Sequence, residues 1–137
     1  MPSPNPYARY QNARVSTVNR GELLLMVYDA CIRCLKEAKN KMIERDFSGK
    51  GLYIDRAYSA LNELRKSLNF DADPKLADSL NQLYFFMSKQ ITKSSLENDP
   101  HPLDEVVKLL QGLREAWAEA AKAESNTAPS AGANLSG

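Results

Sequence analysis

The sequence predicts an all-α protein: an antiparallel up-down four-helix bundle, with a short N-terminal cap segment ahead of it and a disordered C-terminal tail behind it. Three observations carry that expectation. Apolar residues recur in steps of three and four along four successive segments, the spacing that lays a single stripe on an α-helix. No segment alternates apolar and polar residues with period two, so strands are not expected. The connections between segments are short, about four to six residues, which favours antiparallel neighbours.

The first helix is expected from about residue 20 to 45. Asn19 can cap it, with Glu22 three residues on to complete a capping box, and Leu24, Tyr28, Cys31, Leu35, Ala38 and Met42 trace its stripe. After the turn-like "DFSGKG", a second helix is expected from about Gly51 to Leu68, with Ile54, Ala57, Leu61, Leu64 and Leu68 inward. Asp73 caps the third, and Pro74 suits its first position because the missing N–H would have no partner there. Its stripe is Leu76, Leu80, Leu83, Met87 and Ile91. The fourth opens at "NDPHP" and turns Leu103, Val106, Leu110, Leu113 and Trp117 inward. Residues 1–18 are then the cap segment and 19–124 the bundle. The tail, 125–137, offers almost nothing large to bury against the entropy of ordering it.

A chain of 137 residues can bury a core without disulfides or metals. Its 18 basic and 17 acidic residues nearly cancel and are scattered, so no footprint for a nucleic-acid backbone is present. The longest apolar run, "LLLMVY", falls far short of the ~20 residues that cross a bilayer, and the N-terminus lacks a basic segment followed by an apolar one. A soluble cytoplasmic protein without membrane insertion is expected. Cys31 and Cys34, one turn apart on one helix, read as small core residues. His101, the only histidine, lies between two prolines and reads as a solvated turn residue. Metalloprotease, phosphate-loop and nucleophile-elbow motifs are absent, and Glu63, Glu97, Glu105, Glu115 and Glu119 all fall off the apolar stripes. No cofactor, metal or catalytic residue is expected.

Apolar side chains exceed what a bundle corner requires. On the first helix, Leu23, Val27, Ala30 and Cys34 lie beside the stripe, with Leu25 and Ile32 on its other flank. On the third, Phe85 and Leu96 point away from Leu76 and Leu83. Single exposed apolar residues are ordinary on any surface. A groove that receives an amphipathic segment of a partner is the sharper reading, and surplus on two helices favours it. Leu25, Ile32 and Phe85 are therefore candidate partner-binding residues.

Five stretches, in this order, resemble the FliS family of flagellin-specific export chaperones: "NPYARYQ", "GELLLMVYDACI", "LNELRKSLN", "LYFFM" and "HPLDEVVKLLQGLREAWAEA". The resemblance runs from residue 5 to about Ala123. It implies an antiparallel bundle that binds the disordered C-terminal segment of flagellin in the cytoplasm. It also implies that the bundle prevents premature polymerisation and brings the subunit to the platform protein of the flagellar type III export gate. Positions matching Tyr7 and Tyr10 serve recognition in that family. Their three-residue spacing would put both rings on one side of a helical turn, whether to dock on a partner or to cap the bundle end. Two departures stand out. "NRGE" replaces the usual Ser-Pro or Thr-Pro before Gly-Glu, and the phenylalanines of "YFFM" make the third helix more apolar outside. The second leaves open whether that helix meets flagellin alone, or also a co-chaperone or another copy of the chain. A helical adaptor without secretion cargo is the alternative reading, and a bundle enzyme with an unrecognised carboxylate site a third.

Overall fold

The computed structural model describes residues 19–135, with side chains over 19–123. The expected cap segment, with Tyr7 and Tyr10, lies outside the described residues, as do the side chains of the expected tail. Four helices follow one another: α1 (Arg20–Glu44), α2 (Phe47–Lys66), α3 (Pro74–Glu97) and α4 (His101–Leu135). No strand occurs among the described residues. Each helix packs on its neighbours in sequence and α4 returns to α1, closing an up-down-up-down ring.

The caps explain where the helices begin. The Asn19 side chain accepts the Glu22 N–H at 2.8 Å, and Asp73 accepts that of Leu76 at 3.1 Å, as the sequence suggests. The second helix starts four residues earlier than expected, at Phe47, because Asp46 caps it by accepting the Gly49 N–H at 2.9 Å. What reads as a turn is thus a capped first turn. The chain reverses instead through Arg45 alone in the left-handed region (φ 58°), with the Asp46 N–H closing back on the Lys41 carbonyl at 2.9 Å.

The core holds most of the expected stripes of α1, α2 and α4, with Leu24, Leu68, Leu113 and Trp117 only half-buried against it, and corrects that of α3. Tyr28, Cys31, Leu35, Ala38 and Met42 meet Ile54, Ala57, Leu61 and Leu64, with Leu103, Val106 and Leu110 opposite. On α3 the buried set is Ala77, Leu80, Tyr84, Met87, Ile91 and Ser94, whereas Leu76 is 47% exposed and Leu83 only half-buried. Leu80, Met87 and Ile91 keep their inward places, and the buried face turns only part of the way to the next position because Tyr84, not Leu83, reaches across the ring to bond the Tyr28 hydroxyl. α1 packs most closely on α2. Cys31, Cys34 and Ala38 face Ala57 and Ala60 there, and small side chains let the two backbones approach until the Cys31 thiol donates to the Ala57 carbonyl at 3.7 Å.

The two ends of the ring differ. At the end holding the α1–α2 and α3–α4 turns, Lys50 Nζ donates to the Ser95 carbonyl at 3.1 Å and to Asn98 Oδ1 at 3.2 Å, tying α2 to the end of α3. Buried Ser94 donates to the Asp99 carbonyl. Among the described residues, the other end, where α1 begins and the α2–α3 connection turns, is open.

Candidate functional site: an apolar furrow at the open end

A furrow of about 750 Å³ lies between the first turns of α1, the end of α2 with its connection, and the distal part of α4. Leu23, Leu24 and Val27 form one wall, Leu64, Leu68 and Phe70 another, and Trp117 with Ala120 and Ala121 the third. Its depth follows from small residues. A Cβ built on Gly21 would stand 3.6 Å from the Ala121 Cβ, so α1 and α4 touch through almost no side chain there and leave the space above them unfilled. Arg20, Glu63, Lys66 and Asp71 supply charges of both signs around it. An apolar trough with a mixed polar rim is shaped for an amphipathic segment.

Two walls are held in place by polar groups. The Trp117 indole N–H donates to the Tyr28 hydroxyl at 2.9 Å, and that hydroxyl also bonds Tyr84, so one buried chain links α4, α1 and α3 beneath the furrow. Burial raises the Tyr28 and Tyr84 hydroxyls above the usual phenol range, and for Tyr84 the bond to Tyr28 adds to the rise. Both are neutral at any ordinary pH. On the other side, Asn69 Oδ1 accepts the N–H groups of Asp71 and Ala72 at 3.1 and 3.0 Å, an Asx-type turn that fixes the backbone beside Phe70.

Of the candidate partner-binding residues, Leu25, Ile32 and Phe85 do not line this furrow. Leu25 and Ile32 are half-buried on the opposite flank of α1, and Ile32 packs against the core. Phe85, 58% exposed, stands on the outside of α3, as expected, and Leu96 is 83% exposed. The residues beside the α1 stripe divide. Ala30 and Cys34 are buried, while Leu23 and Val27 line the furrow. Phe70 escaped the sequence reading, although a phenylalanine in the polar connection "LNFDADP" is a signal, since no periodic stripe there can hide it. Trp117 read as core; half of it is wall.

Nothing in the described residues suggests catalysis. No group of three or more His, Cys, Asp or Glu could hold a metal ion among them. Cys31 and Cys34 have the Cys-x-x-Cys spacing, but both are buried in mid-helix and no disulfide joins them. Burial pushes the Cys31 thiol far above its usual range, the reverse of a reactive cysteine. No helix among the described residues is long and apolar enough to cross a membrane.

An up-down bundle with an apolar trough between its helix ends has, by class, the form of a binding protein. Comparison with known sequences sharpens this: the family described as flagellar protein FliS matches residues 3–124, and the chain belongs to it. It is 30% identical over 120 residues to the flagellar secretion chaperone FliS of Bacillus subtilis, covering 88% of this chain and 89% of that one. Chaperones of the same name from Vibrio cholerae and Escherichia coli are each 28% identical over 106 residues, covering 77% of this chain and 78% of theirs. A crystal structure of a bacterial flagellar chaperone superposes with a TM-score of 0.72 over 86% of this chain and 96% of its own; at 24% identity that likeness shows the fold. The relatives are named as chaperones, a non-enzymatic role, which agrees with the absence of catalytic motifs noted above.

Proposed function

We propose that the protein is a cytoplasmic flagellar export chaperone that holds the disordered C-terminal segment of flagellin and passes it to the export gate. Family membership supports the chaperone role. The furrow is the single observation that supports the holding mechanism. A cargo helix laying its apolar side on Leu24, Leu68, Phe70 and Trp117 would bury surface at roughly 25 cal/mol per Å² while losing part of that gain to its own ordering. Leu25 and Ile32, on the far flank of α1, extend the contact for a segment that wraps beyond the furrow.

Residues 1–18 join the bundle at Asn19, beside furrow residues Arg20 and Gly21. We assign Tyr7 and Tyr10 to docking on the gate's platform protein, as the family resemblance implies. Replacing both by alanine should weaken gate binding more than it lowers the melting temperature.

The decisive experiment mixes the purified chain with flagellin from the same cell. The chain should form a complex with full-length flagellin and none with flagellin lacking its last ~40 residues, a length of several helical turns. Trp117, the sole tryptophan, should change its emission on binding. A complex indifferent to that deletion sinks the proposal.

A further inference from the structure

Tyr28 does not line the furrow, yet it decides what one wall of it presents. Three neutral polar side chains reach the furrow surface, those of Ser67, Asn69 and Trp117. Each is turned back into the chain. The Ser67 hydroxyl donates to the Leu64 carbonyl at 2.7 Å, Asn69 Oδ1 accepts the N–H groups of Asp71 and Ala72, and the Trp117 indole N–H donates to the Tyr28 hydroxyl at 2.9 Å. The first two are local bonds that shape the backbone of the connection. The third crosses from α4 to α1, between residues 89 apart in sequence, and ends on a side chain with no exposed surface. Among the described residues, no buried side-chain nitrogen or oxygen lacks a partner, so this bond completes a satisfied network.

An indole joins a broad apolar ring to one strong donor at its edge. Left free on a furrow wall, that donor would hold water. A cargo side chain covering the ring would then strip the water and leave the N–H bare, at a cost of roughly tenfold or more in affinity. With Tyr28 beneath it, the donor is satisfied before cargo arrives, and from the side that cargo does not touch. The wall is then apolar surface alone, and its ring is already ordered, which removes a further entropic cost of capture. Tyr84 bonds the Tyr28 hydroxyl in turn, so the acceptor is itself held by a third helix.

We infer that Tyr28 is a positioning residue for cargo capture, acting through Trp117: its hydroxyl takes the indole N–H from below and makes that wall a fixed, wholly apolar surface. The inference rests on the furrow being the cargo site proposed above. Calorimetric titration of monomeric flagellin into the full chain and its variants tests it. Tyr28→Phe should weaken binding roughly tenfold. Tyr28→Phe combined with Tyr84→Phe, which frees the same indole without stranding a hydroxyl, should weaken it as much. Met42→Ala, a core truncation at the closed end, should leave affinity within about twofold, since it lies away from the furrow. In a Trp117→Phe chain, which has no indole N–H to hold, Tyr28→Phe should cost less than about twofold further, because a residue acting only through Trp117 has nothing left to act on. Without cargo, acrylamide should quench the lone tryptophan more readily once the Tyr28 hydroxyl is gone.

Circular dichroism confirms in each case that a variant is folded. The inference is overturned if Tyr28→Phe binds as the parent does, if its tenfold loss persists in the Trp117→Phe chain, or if Met42→Ala loses as much. Quenching unchanged by Tyr28→Phe overturns it too, as does a double variant that regains the parent's affinity, which would blame the stranded Tyr84 hydroxyl and not the indole. A parent chain that binds no flagellin is a different result: it fells the cargo reading of the furrow, and this assignment with it.

Discussion

Replacing Tyr28 by phenylalanine removes one oxygen that has two partners. Trp117 donates to it from the furrow wall and Tyr84 bonds it from across the core, and both tyrosines are almost wholly buried. After the change, the Tyr84 hydroxyl has no mate in an apolar surrounding, which costs about 1–3 kcal/mol. Half-buried Trp117 can turn its N–H toward water for about 1 kcal/mol more, giving a loss of roughly 2–4 kcal/mol. Tyr84→Phe is milder, about 1 kcal/mol, because Tyr28 keeps the Trp117 bond. The pair together is the informative case. Adding Tyr84→Phe to Tyr28→Phe takes away the stranded hydroxyl, so the double variant should be more stable than Tyr28→Phe alone by about 1 kcal/mol. Urea unfolding followed by far-UV circular dichroism measures all three, and the lone tryptophan reports separately on the wall, with emission shifted to the red in both variants lacking the Tyr28 hydroxyl. Losses that simply add, with the double variant least stable, would refute the reading of this chain as one coupled unit.

Two further outcomes follow from the same geometry. Stability should fall in alkali: Cys31, Tyr28 and Tyr84 all have folded values raised above their unfolded ones, so their contribution is complete below the unfolded values and is lost as pH rises past about 8.5 for the thiol and about 10 for the phenols. The unfolded chain there binds fewer protons, and each group lowers the unfolding free energy by about 1.4 kcal/mol per pH unit; a denaturation midpoint unchanged between pH 8 and 11 would contradict the burial. Gly49→Ala and Gly51→Ala should diverge although both sit in the first turns of α2. The new Cβ at residue 51 meets nothing within 4 Å and should stabilise by about 0.5–1 kcal/mol, whereas at residue 49 it would lie 2.5 Å from Asp46 Oδ2 and displace the capping carboxylate, cancelling that gain or reversing it, as thermal melts would show.

The fold was legible because helices advertise themselves by period, and the stripes of α1, α2 and α4 can be counted directly from the sequence. α3 misled because Leu76 and Leu83 look more like core than Ala77 and Tyr84 do. Only the partner across the ring, Tyr28, decides which side turns in, and that partner is 56 residues away in sequence. The furrow was less legible for a related reason. Its walls combine residues from α1, the connection after α2 and the far part of α4, and its depth comes from side chains that are missing, at Gly21, Ala120 and Ala121. Periodicity counts apolar residues present; it does not register space. By angle on α1, Leu23 and Val27 count as surplus just as Leu25 and Ile32 do, and only the first pair borders the furrow.

The asymmetry of the bundle's ends explains how such a furrow persists in a stable protein. At the closed end, Lys50 ties α2 to α3, Asp46 caps α2, and Ser94 secures the α3–α4 turn, while small residues bring α1 and α2 into close contact along their length. These contacts hold the helices without drawing on the open end. At the open end the connection 67–73 is the longest of the three, and it is fixed by the Asn69 turn, not by packing over the trough. Local opening is easiest where buried apolar contacts are fewest. Hydrogen exchange should therefore be fastest around residues 20–24 and 67–73 and slowest near Cys31, Leu35 and Leu61. Cargo that occupies the furrow should slow the first set alone, since a ligand protects the segment it covers and the closed end is already at the limit set by global unfolding.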